Sequence, residues 1–170
     1  MAALATAAPA VAQSSNSNTN STDTLFVSQA AQAGMAEVAD AKLALGKTTD
    51  PSVKAFAQRM IDDHSKANDQ LESIAREDSL ALPSGVGTAN SDMHAKLEGL
   101  DGKAFDSAYL MGQRKAHEQA IALFQKEAQA GSNPQLVAFA KKTLPTLQEH
   151  LSMDEKDITA MTKGSNSGGM

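Results

Sequence analysis

Residues 50–74 read DPSVKAFAQRMIDDHSKANDQLESI, and the reading of this stretch sets the fold. Asp50 is a good helix N-cap, and Pro51 suits the first helical position, where a missing N–H costs nothing. From there Val53, Phe56, Ala57, Met60, Ile61, Ala67, Leu71 and Ile74 recur at spacings of three and four. That period predicts an amphipathic helix to about Ser79, whose apolar stripe has to be buried against other elements. His64 stands inside the stripe.

The same pattern appears on both sides. Upstream, Phe26, Ala30, Ala33, Ala41 and Ala44 predict a helix from about Leu25 to Leu45, capped by Asp23 or Thr24 and stopped by Gly46. Downstream, Leu82-Pro83-Ser84-Gly85-Val86-Gly87 breaks the helix, and a connector follows to about Gly102, with a short helical turn near residues 92–97. A third long helix is predicted over residues 103–130. A fourth opens at Asn133-Pro134 and runs to about Met161, with a kink expected at Pro145. The links at residues 47–49 and 131–133 are short, and short links force antiparallel neighbours. The predicted fold is therefore all-α: a four-helix bundle of two antiparallel helical hairpins. The middle connector is long enough for either a crossover along the bundle or a simple up-down arrangement.

Composition agrees. Of the 170 residues 41% are hydrophobic but only 4% aromatic, with no Trp, so the core is aliphatic. The net charge of −5 and the absence of a basic stripe argue against a nucleic-acid partner. The lack of cysteine excludes disulfides, thiolate metal sites and a Cys nucleophile. The opening MAALATAAPAVAQ ends in an Ala-x-Ala pattern before Gln13, as a secretory signal does at its cleavage site. Residues 1–12 are read as a signal-peptide remnant, 13–23 as a disordered linker, 24–162 as the bundle and 163–170 as a flexible tail. The expected location is the periplasm or the outer-membrane surface, with an envelope protein as a candidate partner. No apolar run approaches the ~20 residues of a transmembrane helix. Oligomeric state is open.

The chemistry-bearing residues are few. Of four histidines, His64, His117 and His150 fall on three different helices, each in an apolar stripe, and Glu37 lies in the stripe of the first helix. Counted from the two short links at ~1.5 Å per residue, His117 and His150 lie ~21–24 Å up their hairpin, and Glu37 and His64 ~14–20 Å up theirs. One Glu and three His near mid-bundle suit a single divalent transition metal: Zn, Fe, Cu or Mn. Asp63 and Tyr109 are candidates for the surrounding shell. His94 is expected on the surface, and Met60, Met111, Met153 and Met161 as packing rather than copper ligands. No catalytic residue is assigned. There is no G-x-S-x-G, no Gly-rich phosphate loop and no H-E-x-x-H, since Ile121 stands where His117-Glu118 would need the second His. Metal binding needs neutral imidazoles, so it is expected to fade as the pH falls towards ~6.

Several strings taken together resemble a known family. Phe26-Val27-Ser28-Gln29-Ala30-Ala31, Glu37-Val38, Met60-Ile61-Asp62-Asp63-His64, Phe105-Asp106-Ser107-Ala108-Tyr109-Leu110, His117 and Leu144-Pro145-Thr146-Leu147-Gln148-Glu149-His150-Leu151 look like the exported bacterial family called domain of unknown function 4142. The resemblance implies a ferritin-like helical fold and an envelope location, often an outer-membrane label, but no activity. Di-iron ferritins carry Glu-x-x-His pairs. Here Ile61, Arg114 and Leu147 stand three before the histidines, so the residues permit a single-metal site rather than a di-iron one. Two other readings stay open: a metal-free envelope module in which the same residues form a buried polar network, and an enzyme using a His–Glu pair.

Overall fold

A computed structural model describes residues 19–166. The signal-peptide reading of residues 1–12 and most of the 13–23 linker lie outside the described residues. Five helices follow in order: α1 (Ser21–Lys47), α2 (Pro51–Glu77), α3 (Thr88–Glu98), α4 (Gly102–Ala130) and α5 (Pro134–Asn166). There is no strand among the described residues.

Several boundaries differ from the sequence reading. α1 begins at Ser21, because Asn20 and Asp23 form a reciprocal capping box. Residues 21–23 are therefore helix rather than linker, and Asp23 is buried within the first turn. α1 also runs through Gly46 to Lys47, whose ammonium donates to the carbonyls of Glu98 and Leu100 and pairs with Asp101. The connector turn is an eleven-residue helix, α3, entered through Gly87 at φ +81°, a left-handed conformation that favours glycine. α5 extends into the expected tail as far as Asn166, and continues through Pro145. Pro145 is exposed, on the solvent side of the helix, where a lost backbone bond is cheap to satisfy with water. Met111 is exposed rather than packed.

α1 packs on α2 and α4 on α5, and the two pairs meet with α1 beside α4 and α2 beside α5. Hydrogen bonds fix the directions. At one end Asn20 of the α1 cap donates to the carbonyl of Ala130, and Asn133 of the α5 cap donates to Asp78 after α2. At the other end Lys47 of α1 meets Leu100 and Asp101 before α4. α2 and α4 thus both end at the same pole. The chain between them has to travel the length of the bundle, with α3 lying on α1 and α4 along the way. The open choice between crossover and up-down topology is decided for the crossover.

The core is split in two. One apolar cluster gathers Phe26, Ala30, Leu71, Ile74, Phe124, Phe139 and Leu147. The other gathers Ala41, Ala44, Phe56, Met60, Phe105, Tyr109 and Leu110. On every long helix the residues between these clusters include the polar ones singled out from the sequence.

Candidate metal centre

Glu37, His64, His117 and His150 are all buried, from 6% exposure down to none, and come from α1, α2, α4 and α5 respectively. Each apolar stripe that buries its helix carries one polar residue inward at that level. Three of them converge: His64, His117 and His150 each bring one ring nitrogen to within 4.8 Å of the other two.

The far side of each ring is held by an acceptor. His117 Nδ1 donates to the carbonyl of Gln113 at 2.8 Å, one helical turn back. That carbonyl can only accept, so Nε2 of His117 carries a lone pair. His150 Nε2 donates to Asp63 Oδ2 at 3.0 Å, so His150 Nδ1 also carries a lone pair. His64 Nδ1 lies 3.0 Å from Glu37 Oε2, and His64 Nε2 has no partner in the protein. The free nitrogens of His117 and His150 face each other at 3.3 Å. Two lone pairs at that distance repel unless a proton or a cation stands between them.

Burial disfavours the proton. It pushes His64 down to about 4, only partly offset by the charge of Asp63. It also lowers His117 and His150, against the raising effects of Glu37 and Asp63. Burial pushes Glu37 the other way, to about 7. Asp63 also feels desolvation, but its bonds to Arg59 and His150 outweigh it and hold the carboxyl below its ordinary range. Arg59 in turn reaches Glu149 at 3.4 Å. The result is three neutral imidazoles with a fixed carboxylate behind His150 and a carboxyl behind His64. This is the arrangement in which metal-bound histidines are oriented by an outer acceptor. A nitrogen pair ~2.0–2.1 Å from a tetrahedral metal would be separated by ~3.3 Å, as His117 and His150 are.

Glu37 is not part of the converging group; its near oxygen faces His64, and Oε1 is buried without a partner. Tyr109 is fully buried, stacked 6.1 Å from Phe105, and its hydroxyl has no partner. His94 is half-buried rather than on the surface, and pairs at 2.6 Å with buried Asp40 on α1. Asp40 and Gln113 were not singled out from the sequence. Asp40 follows Glu37 by three and Gln113 precedes His117 by four, the spacings of one helix face, and that signal was legible. No helix among the described residues is long and apolar enough to cross a membrane.

A crystal structure of a DUF305 fragment from Deinococcus radiodurans is similar in fold, with a TM-score of 0.74 at 15% identity over 84% of this chain and 98% of that one. No curated protein matches. Residues 7–156 match the family described as domain of unknown function (DUF4142), and the chain belongs to that family.

Proposed function

We propose that this protein is an exported, ferritin-like bundle that binds one divalent transition metal through His64, His117 and His150, in a buffering, sensing or stress-protective role in the bacterial envelope. The observation that carries this reading is the opposed, proton-poor nitrogen pair of His117 and His150, with the third imidazole beside it. Three imidazoles favour Zn, Cu or Fe over Mn, whose preference is for oxygen ligands. Glu37 and Asp63 serve behind the ligands: they fix ring orientation and offset the charge of the ion. This replaces the four-ligand set expected from the sequence with three ligands and a fourth position. A cavity of about 30 Å³, room enough for one water, lies against His64 and Glu37 on the side away from His117 and His150, which do not line it.

The test is metal content of untagged protein, followed by melting with and without added Zn²⁺, Cu²⁺, Fe²⁺ and Mn²⁺. A ligand at a hundred times its Kd stabilises by ~2.7 kcal/mol, which is ~5–10 °C for a chain of this size. His64→Ala combined with His117→Ala abolishes that rise. A rise that survives in the double variant refutes the site, and the polar network then stands as a metal-free element of packing. Because burial lowers all three imidazoles from their ordinary value, they are neutral at neutral pH and the rise is present there, to be lost as acid protonates them.

A further inference from the structure

A cleft of about 560 Å³ lies between α1, α3 and α4. Its wall carries three oxygen atoms that are buried and have no partner in the protein: Glu37 Oε1, Tyr109 Oη and Gln113 Oε1. The residues themselves are 4%, 0% and 3% exposed. Asp40 joins them, with one oxygen held by His94 of α3. Orphaned buried oxygens are costly, and each calls for a hydrogen-bond donor or a cation. Lys115 is the one basic residue of the lining, and it is exposed.

The cleft stands next to the cavity beside His64. The two share Ala33, Glu37, Ala120 and Leu123, of which only Glu37 is polar. Its side chain therefore stands between the cleft and His64.

We propose that this cleft is an outer binding site for a hydrated divalent cation, from which the ion passes Glu37 to the three histidines. The inference rests on the metal reading of those histidines. The waters of a hydrated ion donate to Asp40 and, deeper in the wall, to Gln113 and Tyr109, and the Asp40 carboxylate draws the cation past Lys115. Glu37 Oε1 replaces one of those waters as the ion moves inward, and the three imidazoles replace three more, with water kept at the remaining position.

The experiment is stopped-flow uptake of Co²⁺ by the full chain, read by cobalt absorption, with equilibrium affinity measured in parallel. Asp40→Asn keeps an acceptor for His94 and removes the charge. It slows uptake by about tenfold and leaves the Kd within about threefold of wild type. Ala116→Leu, which narrows the cleft from α4, slows uptake in the same way, and Lys115→Glu at the exposed rim speeds it. Uptake at the wild-type rate in all three variants, with Co²⁺ still bound at equilibrium, overturns the entrance and spares the three-histidine site. If wild-type protein binds no Co²⁺ at equilibrium, both fall.

Discussion

Two of the buried polar clusters among the described residues, one at the pole of the bundle and one at its middle, are satisfied in different ways. At the pole, Asp23 accepts from the backbone of Asn20 at 2.7 Å, Ser132 at 2.9 Å and Asn133 at 3.3 Å, and from the Ser132 hydroxyl at 2.7 Å. Asn133 accepts from Gln135 and Leu136 and donates to Asp78. These bonds cap α1 and α5 and tie four helix ends together, so Asp23 uses its acceptor capacity within the chain. At the middle, the nitrogens that face inward find no donor, while those that face outward are all held. Burial of a polar residue alone does not identify a site. Asp23 is saturated by the chain, whereas three inward nitrogens converge on a common point.

The sharpest way to break this contrast is to remove one inward nitrogen. His117→Ala is expected to weaken metal binding by more than the ~100-fold that loss of an outer-shell partner can cost, measured by titration against a chelator of known affinity. Unchanged affinity would erase the distinction. At the pole the corresponding change is Asp23→Ala. It leaves donors of half-buried Ser132 and buried Asn133 without an acceptor and costs ~2–3 kcal/mol, a fall in Tm of ~4–12 °C, with metal affinity unaltered. A parallel loss of metal affinity would mean that the two clusters are coupled.

A smaller effect is expected one layer out from the histidines. Asp63→Ala releases His150 Nε2, leaves Arg59 to Glu149 alone, and lowers metal affinity by ~10–100-fold, with a metal-free loss of ~1–3 kcal/mol at most from the orphaned imidazole donor. The smallest is a pH effect at the pole. Burial and then the neighbouring Asp23 push Glu127 up to about 8 from an unfolded value of 4.5. The unfolded chain releases this proton first as pH rises, so Glu127 lowers stability progressively between those two values. Glu127→Gln has nothing to release. Its denaturation midpoint, compared with that of wild type, is expected to gain across that window; a parallel pair of pH curves would remove the proton from this end of the bundle.

Much of this was legible in the chain. The stripe from Val53 to Ile74, the Asp50-Pro51 and Asn133-Pro134 openings and the two short links specify long helices and their pairing, since period and capping are local properties. Glu37, His64, His117 and His150 could be picked out as polar residues on apolar stripes for the same reason. The early start of α1 was not legible, because residues 21–24 are all polar and Asp23 is buried by the loop before α5, more than a hundred residues away. Nor is the half-buried place of His94 legible in the sequence, because its partner Asp40 lies on another helix.

By itself, the sequence determined that the chain is helical, where its long helices turn, and which apolar stripes face inward, because each of these follows from neighbours within a few positions. Only the tertiary structure decided the direction of the crossover, the placing of Glu37 behind His64 rather than among the converging nitrogens, and the opposition of His117 and His150. Those depend on the rotation and axial offset of helices far apart in the chain. A shift of ~1.5 Å along one axis is a single residue in sequence, and it exceeds the difference between a ligand distance and a hydrogen bond.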